Sequence, residues 1–153
     1  MTSKIKPKNK KKRPTNNRRK ARELVMKSVY RGLVNDFDVN QIKLDIKDDP
    51  DFLMSDKVMY VTLLDGVFKN FKLLKAEIES YIEREYAELS PIELAILYCS
   101  LYELKFSIDV PYKVVINEAI EIAKSFGGLD GFKFINGILN EAAKKNRKAE
   151  LSL

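Results

Sequence analysis

The residues best suited to chemistry in this chain are cations. Arg18-Arg19-Lys20-Ala21-Arg22-Glu23 opens a segment with helical periodicity. Guanidinium groups grip phosphate oxygens two at a time, and a helix N-terminus adds partial positive charge at the same end. Arg18 and Arg22 are four residues apart and share a face. Upstream, Lys4 to Arg13 adds a run of lysines suited to non-specific phosphate attraction. Residues 1–22 hold 11 Lys/Arg and no Asp/Glu, while the remainder holds 17 against 22, so a basic arm precedes a mildly acidic body. Such an arm marks a polyanionic partner; the plainer reading is a solvated, frayed helix end.

A second cluster, Asp130-Gly131-Phe132-Lys133-Phe134, combines a lysine for phosphate with an aromatic on which a base could stack. The competing reading puts Phe134 in the core and leaves Asp130 as a helix cap. Catalytic constellations are missing. The chain has no histidine and one cysteine, Cys99, which removes the commonest general base and any Cys/His zinc site. No GxGxxG, Walker A, GxSxG or HExxH pattern occurs. An enzyme is therefore not expected, and neither is a cofactor or metal. Cys99 lies in the apolar stretch ELAILYCSLYEL and reads as core.

The elements that position these residues read as helices throughout. At 153 residues and 45% apolar content the chain can bury one real core. No apolar run approaches the roughly 18 residues of a membrane span, and no signal-peptide pattern opens the chain, so a cytoplasmic protein is expected. Residues 1–17 are polar, with two prolines, and read as a disordered arm. Asn16 or Asn17 can cap a first helix to about Asn35, with Leu24, Val25, Val29 and Leu33 facing the core. A short helix over Val39–Ile46 follows, then one from Asp56 to about Phe71 capped by Ser55 and locally weakened by Gly66. Another covers about Leu73–Arg84.

Ser90-Pro91-Ile92-Glu93 is a capping box with proline at the first helical position, opening a helix to about Phe106. Pro111 opens the next, with Val115, Ala119, Ile122 and Phe126 as a core stripe. Gly127 and Gly128 close it, and Asp130 can cap a last helix carrying Phe134, Ile135, Ile138 and Leu139. The expected fold is all-α, a compact bundle of about seven helices, possible as two sub-bundles. Its divisions are the arm over 1–17, one helical domain over 18–148 and a tail over 149–153.

The wording of these segments is more specific than their physics. DVPYK, INEAIEIAKSFG and KFINGIL, in this order within Asp109–Asn140, and RRxARE at Arg18–Glu23 resemble the signatures of the NusB family of bacterial transcription antitermination factors. The resemblance is dense over 109–140, good over 18–34 and 88–105, and looser over 36–86. It implies a non-enzymatic module that binds the boxA element of single-stranded RNA together with NusE, a small ribosomal-subunit protein, within the transcription elongation complex.

Carried over residue by residue, the resemblance implies RNA contacts at Arg18, Arg19, Arg22, Tyr30, Asp130 and Lys133. Phe132 joins them as a stacking candidate of this chain's own, since NusB proteins carry a polar residue, often serine, and a histidine where Gly131 and Phe132 stand. For the protein partner it implies the region of Glu93, Tyr98 and Tyr102, although the family commonly has arginine where Tyr98 stands. Asn117 and Glu118 read as structural. Two other functions fit the same pattern: a stand-alone NusB-like RNA-binding domain related to those of rRNA cytosine methyltransferases, and a helical protein-interaction scaffold with a cationic arm.

Overall fold

An apolar segment flanked by polar ones on both sides must lie at the centre of a helical protein, and ELAILYCSLYEL does. The computed structural model describes residues 14–128 and 130–152, and most of the expected disordered arm lies outside the described residues. Among the described residues eight α-helices follow in order: α1 (Pro14–Val34), α2 (Val39–Asp45), α3 (Lys57–Lys69), α4 (Phe71–Tyr81), α5 (Pro91–Phe106), α6 (Tyr112–Phe126), α7 (Gly131–Asn146) and α8 (Lys148–Leu151). Short 3-10 turns lie at Ile46–Asp48 and Tyr86–Glu88, and no strand occurs among the described residues. The seven expected helices are present; the eighth is a single turn where a tail was expected. Helix α1 begins at Pro14, ahead of the expected cap at Asn16 or Asn17.

Helix α5 is apolar all round, and every residue from Leu94 to Leu101 is buried. It packs against α1, α3, α4, α6 and α7. Helices α1 to α4 form one set of neighbours and α6–α7 another, so the two sub-bundles share α5 and a single continuous core. Gly66 explains the close fit of α3: a Cβ there would overlap the Tyr102 ring on α5. No helix among the described residues is long and apolar enough to cross a membrane.

The caps differ in detail from the sequence reading. Asp56, not Ser55, caps α3 by accepting the Met59 N–H at 3.0 Å, while the Ser55 hydroxyl donates to the Phe52 carbonyl at 2.7 Å. Ser90 caps α5 as expected, accepting from Glu93 N–H at 3.4 Å. Pro111 stands one residue earlier than expected, at the N-cap of α6. Gly127 ends α6 with φ −88° rather than in the left-handed region; its N–H donates to the Ala123 carbonyl at 2.7 Å. Asp130 stands at the N-cap of α7 without a side-chain capping bond.

Two polar networks lock the C-terminal half. Buried Arg147 donates to the carbonyls of Glu103, Leu104, Ser107 and Val110 at 2.7–3.1 Å, satisfying the open end of α5. It also pairs with Glu150 at 2.6 Å, and Glu150 accepts the Tyr112 N–H at 2.8 Å, so one side-chain pair ties the end of α5 to the start of α6. Buried Glu77 accepts from Tyr81 at 2.6 Å, Lys105 at 2.7 Å and Asn146 at 2.8 Å. Burial alone would raise the Glu77 pKa, but these donors outweigh it and hold the carboxyl below its ordinary range.

Replacing Arg147 with leucine strands buried carbonyls and should cost about 3 kcal/mol, read as a lowered midpoint in urea unfolding. Glu77 should make acid stability its own signature. Its folded pKa lies below the unfolded one, so its contribution is complete above about pH 5 and is lost as pH falls through the folded value. Glu77→Gln should therefore be less stable at neutral pH and show a shallower fall in Tm between about pH 5 and pH 3.

Candidate nucleic-acid interface

Helix α1 carries four of the seven RNA-side candidates, and its neighbours decide which of its cations face solvent. Arg22 turns inward and is 7% exposed. Its guanidinium forks onto Glu103 of α5 at 2.8 and 3.0 Å and lies 3.9 Å from Glu118 of α6. This corrects the expectation of a phosphate contact: a buried guanidinium already gripped by a buried carboxylate has no face left for RNA. Arg19 makes the same bidentate grip on Glu118 at 3.0 and 2.6 Å, with its outer side still in solvent. That hydrogen bond to Glu118 raises its already high pKa. Arg18 is exposed beside the start of α6 and has no carboxylate within salt-bridge distance among the described residues.

The far edge of α1 is neutralised too. Lys20, Lys27 and Arg31 recur along one stripe, and each meets an acid of the segment that follows α2's start: Asp51 at 3.1 Å, Asp49 at 3.0 Å and Asp45 at 2.6 Å. The Arg31 hydrogen bond lowers the Asp45 pKa. Tyr30 lies between these edges, 37% exposed.

Long side chains link α1 to α6 in the same order along both helices. Arg19 meets Glu118, and eight residues further along both helices the Lys27 ammonium lies 5.6 Å from the Phe126 ring centre. At the next turn of chain, Lys124 stands 5.3 Å from the ring centre of half-buried Phe132. Asp130 and Lys133 are exposed and face each other at 3.5 Å. Phe134 is half-buried against the core, with the Arg84 guanidinium 4.6 Å from its ring centre.

The three residues named for a protein partner separate. Tyr98 is fully buried, stacked on Phe71 at 4.5 Å and hydrogen-bonded to Tyr86 at 2.6 Å. It is a core residue and the expectation of a partner contact is corrected. Burial pushes its hydroxyl pKa up. Tyr102 is half-buried between Gly66 and the Phe106 ring, 5.0 Å away. Glu93 does not reach back to complete the capping box. Its carboxylate lies against the start of α7, where a Cβ on Gly131 would meet Oε2 at 2.6 Å. Cys99 is buried as expected, with its thiol pKa raised by burial. No group of three His, Cys, Asp or Glu that could hold a metal occurs among the described residues.

Sequence reasoning placed Phe126 in the core stripe with Val115, Ala119 and Ile122, yet it is 37% exposed while those three are buried. Its position as the last residue before a glycine pair was the available signal, because a helix's final residue has no following turn to cover it. Glu103 and Arg147 went unnoticed. Nothing local marks a carboxylate whose partner is 81 residues away.

This is an all-helical protein whose exposed groups suit recognition of another molecule. The NusB family model matches residues 19–144. The transcription antitermination protein NusB of Methylobacillus flagellatus is 44% identical over 133 residues, 87% of this chain and 86% of the relative. That of Bordetella pertussis is 45% identical over 138 residues, 88% and 90% respectively. The solved structure of T. maritima NusB superposes with a TM-score of 0.76 at 33% identity, covering 88% of this chain and 96% of that one. The chain belongs to the NusB family.

The geometry separates folding arginines from surface ones. Arg22→Ala leaves Glu103 buried without its partner and should cost about 3–5 kcal/mol. Arg18→Ala should leave the unfolding midpoint within experimental scatter of the parent protein. Thermal melts of the two variants side by side check the assignment.

Proposed function

We propose that this chain is a transcription antitermination factor that binds boxA-type single-stranded RNA together with the ribosomal protein NusE. Assembled with the elongation complex, it would help RNA polymerase resist termination, notably on rRNA operons. The observation that carries the reading is the whole-length likeness to proteins named for antitermination, since those relatives are themselves spanned to 86–90% of their length.

The surface supports it. Arg18 and the outer side of Arg19 lie at one end of the α1–α6 seam, and Tyr30, Phe132, Asp130 and Lys133 lie toward the other. Eight residues of helix span about 12 Å, enough for a single strand to lie along the seam with several phosphates near cations. The lysine run from Lys4 to Arg13 adds attraction without reading sequence. Function here is assembly rather than chemistry. Bases splayed from a single strand can stack on aromatics and offer their edges to polar groups such as Asp130.

Glu93 and Tyr102 remain the partner-side candidates. Glu93 touches Gly131, immediately beside Asp130, so the partner side adjoins the RNA side on this chain. If NusE raises the affinity for RNA, RNA raises the affinity for NusE by the same factor.

Binding of a boxA single strand and a scrambled control, with and without NusE across a salt series, tests the reading. The expected result is a preference for boxA that NusE strengthens, and a log–log salt slope that falls by about one in Arg18→Ala. Arg22 is left intact, because its loss would confound binding with unfolding. Equal binding of both RNAs with no effect of NusE would favour a helical scaffold with a cationic arm and sink the proposal.

A further inference from the structure

We infer that Phe126, with Lys27 beside its ring, and Phe132, with Lys124 beside its ring, form a ledge on which bases of the bound single-stranded RNA stack. The inference rests on the RNA reading above and names where the bases go. Phe126 closes a stripe whose other members, Val115, Ala119 and Ile122, are at most 5% exposed, yet it stands 37% exposed at the end of α6. The core does not use the whole of this ring. Tyr30, one turn beyond Lys27 on α1, is equally exposed.

Cations also stand beside the rings of half-buried Phe52, Tyr86 and Phe134, but Phe126 combines such a neighbour with the greater exposure. Phe68 packs edge-on against Phe37 at 5.3 Å and Phe106 against Tyr102 at 5.0 Å, and neither carries a cation over its ring among the described residues. Phe126 and Phe132 each do, from Lys27 at 5.6 Å and Lys124 at 5.3 Å. A ring face for the base and a flexible ammonium beside it for the phosphate are the two parts that single-strand binding uses. The ligand this pattern fits is both flat and anionic, with its two properties repeating along its length. When a base takes the ring, Lys124 swings outward to the adjoining phosphate, while Lys27 must exchange its 3.0 Å pair with Asp49 for the phosphate.

The test uses the full chain and a boxA single strand carrying 2-aminopurine, with the salt series run in parallel. Phe126→Leu should weaken binding roughly tenfold and abolish quenching of the base analogue. Its Tm should match the parent's, and the salt slope should not change, because stacking releases no counterions. Phe126→Tyr should restore affinity. Lys124→Gln should lower the slope by about one. Parent affinity and quenching in both Phe126→Leu and Phe132→Leu, with Arg18→Ala still weakened, would overturn the ledge and leave the RNA reading standing. Loss of NusE binding in Phe126→Leu with RNA affinity intact would assign the ring to the protein partner and overturn the inference equally. Failure of the parent chain to bind the RNA at all would overturn both.

Discussion

Glu103 on α5 and Glu118 on α6 sit almost out of water, and between them they hold α1 by two arginines. The other polar contacts of α1 include three part-exposed ion pairs and one hydroxyl pair, Ser28 with Tyr60 at 2.7 Å. The Arg22–Glu103 fork cannot slide, because a one-turn slip would strand a buried carboxylate and a buried guanidinium at once. Taking these charges out of water is expensive, and only the bidentate geometry repays it. The pairs are better understood as setting register than as adding net stability. They fix where α1 lies on α5 and, through Glu118, how α6 lies beside it. The seam that carries the exposed aromatics follows from that register, since Lys27 meets Phe126 only if Arg19 meets Glu118.

The same contacts show why a basic helix is not by itself a nucleic-acid surface. From Arg18 to Arg31, α1 carries cations on every side, but two are held by α5 and α6 and three by Asp45, Asp49 and Asp51. Part-exposed pairs of the second kind are individually weak and screened by salt. A phosphate chain can compete for those lysines, whereas it cannot compete for Arg22. Cations of three kinds thus share one helix: one buried, several shared with acids, and Arg18 open to solvent at the end nearest the arm.

Much of this was legible in the sequence, for physical reasons that also mark where it stopped. Helix starts at Ser90-Pro91 and the all-round apolarity of α5 are local signals, and the structure follows them. The boundaries at Asp56 and Pro111 moved by a residue because several neighbours could serve as caps. RRxARE was read as a phosphate motif, and its spacing does put Arg18 and Arg22 on one face. Which way that face points depends on Glu103 and Glu118, far away in sequence, and no periodicity reports them. Tyr98 misled for the opposite reason: its hydroxyl suggested a surface, but Tyr86 supplies the hydrogen bond that lets the whole side chain be buried.

Gly131 shows how one small residue can join two surfaces. The α5 N-terminus, with Glu93, and the α7 N-terminus, with Asp130 and Lys133, come together because residue 131 has no side chain to keep them apart. A serine there would bring a Cβ to within 2.6 Å of the Glu93 carboxylate and force it outward. The absence of a side chain at 131 therefore acts through Glu93: it lets that carboxylate lie against the start of α7, next to the exposed Asp130–Lys133 pair.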